Sequence, residues 1–171
     1  HSRLQAFVAK HIVPLEADQK NFDTYINKLE NNYFFTDTNK ENLSFVLAIS
    51  KKLNFKKKLL EKTIRNFRGL KYRQQIIYKK KNLTIINDSK STSFSSTQEL
   101  IDTKKKTFWI LGGLPKKGDK FTLSKKDCFN LRAYIFGKNA KFFVKRLKDK
   151  VHYQKFNNMI SAIKKIKIDF K

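Results

Sequence analysis

Cysteine occurs once in the 171 residues, at Cys128, so neither an intrachain disulfide nor a cysteine-built zinc site is available. One thiol agrees with a reducing compartment, and the cytoplasm is the expectation. Methionine also occurs once, at Met159, and the chain opens on His1. A processed product or a piece of a longer chain is therefore expected. The length suits one ordinary domain, or one domain with part of another. No apolar run nears the roughly 20 residues of a membrane span, and no signal-peptide pattern opens the chain, so it reads as soluble. Acid is scarce: 14 Asp+Glu stand against 39 Lys+Arg, a net charge of +25. Such an excess raises nucleic acid or an anionic membrane as a partner. Here the lysines fall in short clusters (56–58, 79–81, 104–106, 125–126, 164–165), and asparagine, isoleucine and phenylalanine are abundant beside them. A compositionally biased, solvated surface and a polyanion-binding face are both open. His1, His11 and His152 lie in no metal-ligand spacing and read as structural or exposed.

Glycine is the other informative shortage. All five lie between Gly69 and Gly137, so the early chain reads as helices and the later chain as strands with tight loops. Phe22, Tyr25, Ile26 and Leu29 make a helical apolar face. Thr38 and Glu41 read as a capping box opening a helix that carries Leu43, Val46, Leu47 and Ser50. A third helix carries Leu60, Ile64 and Phe67, with Gly69 placed to end it at C′. Beyond it, 74–78 and 83–87 are β-prone runs that read as a hairpin. A short helix (95–102), a strand (107–111), a Gly-rich loop and a strand (132–136) follow. Next come a helix with Ala140, Phe143, Val144 and Leu147, and a last helix with Phe156, Met159, Ile160 and Ile163. Alternating strands and helices predict an α/β fold with a mostly parallel sheet. Strands 83–87 and 107–111 are expected adjacent and parallel, with a boundary near Gly69–Lys71. No internal repeat is visible.

The stretch Ile85-Ile86-Asn87-Asp88-Ser89-Lys90-Ser91-Thr92 carries the strongest chemical signal. An apolar run ending in polar residues reads as a strand stopping at a working edge. Asp88 suits a ribose hydroxyl, Lys90 a phosphate, and Thr92 a carboxylate or oxyanion. A polar loop with an Asx-turn is the bland alternative. Upstream stand Thr38-Asn39-Lys40-Glu41-Asn42 and Gly69-Leu70-Lys71-Tyr72-Arg73; downstream stands Gly112-Gly113-Leu114-Pro115-Lys116-Lys117-Gly118. No GxxxxGK[ST] phosphate loop occurs.

This ordered series resembles the Mur ligase family, whose D-glutamate-adding members carry HNxxN, GLPHR, NDSKxT and GGxxKG segments in that order. The likeness covers about Asn39 to Val151. It implies a Rossmann-like C-terminal Mur ligase domain over 70–171, preceded at 1–69 by the helical end of the central ATP-binding domain. It further implies ATP-dependent addition of D-glutamate to UDP-N-acetylmuramoyl-L-alanine through an acyl phosphate, in peptidoglycan synthesis and hence cell shape and division. By resemblance, Asn39 and Asn42 contact the adenine, and Arg73 reaches the ATP. Asp88 and Lys90 hold the ribose and the reacting phosphate region, with Lys90 the catalytic residue. Thr92 and Lys116 bind D-glutamate. Thr38 and Tyr72 replace family histidines, and Lys117 competes with Lys116 for its role. Polar decoration of a helix start at Asn39 and Asn42, and an exposed surface charge at Arg73 and Lys116, are the structural alternatives. The family's phosphate loop, its Mg2+ ligands and its closing D-glutamate loop are expected outside these residues. The chain alone would then be inactive, and the full-length enzyme would be a monomer without nucleic-acid partner or membrane span. A basic RNA- or ribosome-associated binding protein is the rival reading. It requires aromatic side chains exposed among the lysines, whereas Phe67, Trp109, Phe143 and Phe156 sit at core-like periods.

Overall fold

In the computed structural model, residues 19–101 and 103–170 are described, and they divide into two compact units that part between Asn87 and Asp88. His1, His11 and the far end of the 95–102 helix lie outside the described residues.

The first unit is built from α1 (Gln19–Leu29), a 3-10 turn (Asn32–Phe35), α2 (Asp37–Lys52), α3 (Lys57–Asn66), and a hairpin of β1 (Gln75–Lys80) and β2 (Leu83–Asn87). Ile26, Leu29, Phe34, Leu43 and Ile64 form its core, with Phe22, Tyr25, Leu47 and Leu60 packed around them. The expected apolar faces are used only in part: Val46 of α2 and Phe67 at the end of α3 remain 48% and 37% exposed. The cap is not the expected one. Thr36, in extended conformation, accepts from the Asn39 backbone N–H and opens α2, so Thr38 lies inside the first turn. A capping hydroxyl must precede the helical residues in order to face their unpaired N–H groups, and only Thr36 does. Gly69 is not a C′ residue either, because α3 is capped by Phe67. Its φ of +76° and the contact a Cβ would make with the Tyr33 ring explain the glycine.

The hairpin is antiparallel, with Gln75 opposite Asn87 and Lys80 opposite Leu83, and a bulge near Ile77. This corrects the expectation that 83–87 lies parallel beside 107–111: the two strands belong to separate sheets. A buried parallel strand needs both faces covered, and Ile85 is 42% exposed. The hairpin also goes with the helices, so compact packing changes hands after Asn87 rather than at Gly69. The reason is polar: the root residue Gln74 bonds to Thr36 and Asn39, and Lys79 Nζ donates to Asn32 Oδ1 at 3.0 Å.

The second unit holds α4 (Phe94–Gln98), β3 (Thr107–Leu111), β4 (Leu131–Phe136), α5 (Ala140–Leu147), β5 (His152–Phe156) and α6 (Met159–Asp169). Its three strands are parallel in the order β3-β4-β5, with Trp109 opposite Ala133 and Ala133 opposite Tyr153. Alternation along β4 sends Ala133 and Ile135 into a core with Phe143 and Leu147 of α5. The intervening Tyr134 turns to α6, where its hydroxyl donates to Asp169 at 2.7 Å. Helices thus cover both faces, as parallel strands demand. The last expected helix begins later than its apolar spacing suggested. Phe156 closes β5 and stacks on Tyr134, while Asn158 caps α6 by accepting from the Ser161 N–H. Cys128 is buried in the core, and burial followed by the neighbouring Asp127 pushes its thiol pKa up, toward an unreactive thiol.

Asp169 sits below its ordinary carboxylate pKa of 3.8, first through the Lys165 bond at 2.6 Å and then through Tyr134. A depressed folded-state pKa contributes stability that is complete above the ordinary value and is lost as pH falls through the folded one. Acid titration of unfolding, from about pH 5 downward, should therefore be shallower in Asp169→Asn than in the parent chain. Superimposable acid limbs would remove Asp169 from the account.

Candidate functional site

Asn39, Asn42 and Arg73 belong to the first unit; Asp88, Lys90, Thr92 and Lys116 belong to the second. Asn39 is only 5% exposed. Its side-chain nitrogen donates to the Tyr33 carbonyl at 2.8 Å and to Gln74 Oε1 at 2.9 Å, so both amide hydrogens are spent inside the unit. Asn42, one turn along α2, is exposed. Arg73 is exposed in a turn where its backbone N–H donates to the Leu70 carbonyl. Tyr72 on one side has φ +66° and Gln74 on the other φ +46°, a conformation rare for residues with a Cβ.

Asp88 follows β2 directly and is half-buried. Its carbonyl accepts from the Ser91 N–H at 2.9 Å, closing the turn that exposes Lys90. A row of hydroxyls stands behind that turn. Thr97 Oγ1 donates to Ser91 Oγ at 2.7 Å and lies 3.4 Å from Asp88 Oδ2, and Ser91 Oγ is 2.5 Å from Ser96 Oγ. Thr92 is exposed, and Ser93 caps α4. Lys116 projects from the loop at the carboxyl end of β3, the edge where open α/β sheets bind ligands, and both it and Lys117 are exposed. Gly112 allows that loop to leave the strand, because a Cβ there would lie 2.7 Å from the Phe136 carbonyl oxygen. Asn139 Nδ2 donates to the Gly113 carbonyl at 2.9 Å and ties the loops after β3 and β4 together.

Sequence reasoning missed the side chains that bring Lys90, Thr92 and Lys116 onto one assembly. The Phe94 N–H donates to Asp119 Oδ2 at 2.7 Å, which links the start of α4 to the Gly-rich loop. Gln98 doubles that link: its Nε2 donates to Thr122 Oγ1 at 2.9 Å and its Oε1 accepts from the Thr122 N–H at 2.7 Å. A Gly-Asp pair after the loop was the only available signal for Asp119, and Gln98 carried none. Two surface depressions, one on α3 around Thr63 and Phe67 and one on α5 and β5 around Val144 and Lys155, involve no candidate residue. Among the described residues no three His, Cys, Asp or Glu side chains converge as a metal site. No described helix is long and apolar enough to cross a membrane. Of the four rings read as core-like, Phe67 is 37% exposed, and exposed aromatics occur beside lysines: Phe55 (58% exposed) precedes Lys56 to Lys58, and Phe129 (84%) follows Lys125 and Lys126.

No family model matches the chain. Curated proteins do. A Wolbachia protein from Brugia malayi is 31% identical over 127 residues, which cover 74% of this chain and 26% of that protein. A Buchnera aphidicola protein is 35% identical over 121 residues (68% and 28%), and one from Nitrobacter hamburgensis 29% over 125 residues (73% and 27%). By this similarity the chain belongs to the Mur ligase family. All three relatives bear the name UDP-N-acetylmuramoylalanine--D-glutamate ligase, and the chain spans about a quarter of their length.

Replacing Asp119 by Ala should cost about 1 kcal/mol of stability, the ordinary net worth of one hydrogen bond. Amide exchange at Phe94 should quicken in the same variant, while exchange at Ala133 in β4 stays slow. Unchanged protection at Phe94 would show that the carboxylate does not hold α4 to the loop.

Proposed function

We propose that this chain is the carboxy-terminal part of a cytoplasmic, monomeric, ATP-dependent ligase that adds D-glutamate to UDP-N-acetylmuramoyl-L-alanine during peptidoglycan synthesis. The observation that carries the reading is the set of four motifs in family order within a chain 31% identical over 127 residues to a ligase of that name. In such a reaction a substrate carboxylate oxygen attacks the γ-phosphorus of ATP, the bond to the β-phosphate oxygen breaks, ADP leaves, and an acyl phosphate remains. The D-glutamate amine then attacks the acyl carbon, inorganic phosphate leaves with the electron pair of the broken C–O bond, and the amine proton passes to solvent or base.

The contribution of these residues is positioning and charge. Exposed Lys90, fixed by the Asp88–Ser91 turn, opposes negative charge growing at the reacting phosphate. Asp88, with Thr97 beside it, accepts from the ribose. Thr92 and Lys116 meet the D-glutamate carboxylates, and Arg73 offers its planar fork to ATP. Asn42 presents an exposed amide to the adenine edge, and Asn39 serves mainly as the strut beneath it. Magnesium would neutralise the ATP phosphates when bound, and its ligands are expected in the central domain of the complete enzyme.

In the complete enzyme, Lys116→Ala should raise the D-glutamate KM roughly tenfold to a hundredfold, as expected for one lost charge-assisted contact to a carboxylate. Lys90→Ala should instead depress kcat, because its partner charge is greatest in the transition state. An unchanged KM in Lys116→Ala with a raised KM in Lys117→Ala would move the contact by one position. The 171-residue chain by itself should release no phosphate when given ATP, D-glutamate and UDP-N-acetylmuramoyl-L-alanine, and substrate-stimulated release would overturn the reading.

A second reading, a polyanion-binding surface without catalysis, draws on exposed Phe55 and Phe129 beside lysines. It requires RNA affinity that falls steeply with salt, at a slope of several released ions, and loses affinity on Phe129→Ala. A shallow slope with no Phe129 effect would dispose of it.

A further inference from the structure

We propose that Gln74 is a positioning residue: one buried oxygen locks the turn that presents Arg73 to the helix start that presents Asn39 and Asn42, so the two segments behave as one body. Only the nucleotide role of those segments rests on the ligase reading; the lock itself does not.

Gln74 is 8% exposed, and its Oε1 accepts twice, from Thr36 Oγ1 at 2.7 Å and from Asn39 Nδ2 at 2.9 Å. Both donors are themselves fixed at the start of α2. Thr36 caps the helix by accepting from the Asn39 N–H, and Asn39 Nδ2 also donates to the Tyr33 carbonyl. The Tyr33 ring lies against Gly69, at the other end of the loop that leads to Arg73. That loop is therefore pinned at both ends by the same 3-10 turn and helix start. Between the pins the backbone takes a conformation it would not hold alone. Tyr72 and Gln74 are both left-handed although neither is glycine, and the Tyr72 N–H is held by Gln75 Oε1 at 3.0 Å. Such backbone persists only where surrounding contacts over-determine it. The surrounding contact at Gln74 is its own side chain reaching back into α2. Loss of that oxygen leaves two buried donors without their acceptor and frees the turn to relax. Arg73 then loses its fixed bearing relative to Asn42, although no atom of Arg73 has changed.

The test uses the whole 171-residue chain with Gln74→Met, which removes the acceptor, and Gln74→Glu, which keeps an oxygen facing both donors. Amide hydrogen exchange reads the lock directly. At Arg73 and Asn39 together, Gln74→Met should speed exchange on the order of tenfold or more, with α3 amides unchanged and Gln74→Glu close to the parent. Normal protection at either site in Gln74→Met overturns the proposal. Should Gln74→Met unfold the first unit, Gln74→Asn, which only draws the oxygen back by one methylene, carries the same comparison.

Anisotropy of a fluorescent ATP analogue bound to the complete enzyme separates the lock from the nucleotide reading. Arg73→Ala and Gln74→Met should each weaken binding, and the double variant should be no weaker than Arg73→Ala alone, because Gln74 acts through Arg73. Additive losses would make Gln74 a general stabiliser and sink the positioning role. Unchanged affinity of the complete enzyme in Arg73→Ala would count against the nucleotide reading, with the lock then judged by exchange.

Discussion

The second unit depends on the Phe94 ring. It meets Trp109, Phe121 and Phe143 edge-on, with centroids 5.9, 5.6 and 6.0 Å away. Those three residues come from β3, from the connection between β3 and β4, and from α5. That connection contains no regular helix or strand, so its order has to come from side chains. Trp109 stacks on Phe121 within the same cluster, and the Phe94 backbone is fixed by Asp119. The exposed lysines of the candidate site are thus held from behind by apolar contacts, a region where charge repulsion alone would favour a loose loop.

The first unit is ordered by different means. Its apolar core is small, and much of its loop structure is held by amide side chains bonding to backbone. Asn31 Nδ2 donates to the carbonyls of Ile64 and Phe67 at 2.6 and 2.9 Å, closing the end of α3 onto the 3-10 turn. Asn31 thus fills the carbonyl-satisfying role that glycine-rich turns fill elsewhere.

This contrast explains what the sequence disclosed. The helices α1 and α5 were legible because their apolar residues recur at helical spacing and are in fact buried. Asp88, Lys90, Thr92 and Lys116 were named only because their side-chain types, in order, match a known series of segments, and the structure adds their positions just after β2 and in the loop that follows β3. β5 was not legible: four of its five residues are exposed, so an edge strand without alternation looked like the approach to a helix. The hairpin was half legible, because Ile85-Ile86 reads as a buried run although one of the pair faces solvent. Gln74, Gln98 and Asp119 left almost no trace. Each works through a partner far along the chain, at residues 36 and 39, 122, and 94 respectively. No local period encodes such a pairing.

The chain's one tryptophan, Trp109, lies in that aromatic cluster, and the first unit has none. Indole emission is therefore an optical label built into one half of the molecule only. It senses the packing beneath the Gly-rich loop and is silent about the helices and hairpin. Far-ultraviolet ellipticity, by contrast, draws on helices in both halves. Melting curves followed by the two signals will coincide only if the halves lose structure together, and any gap between them measures their independence without a single substitution.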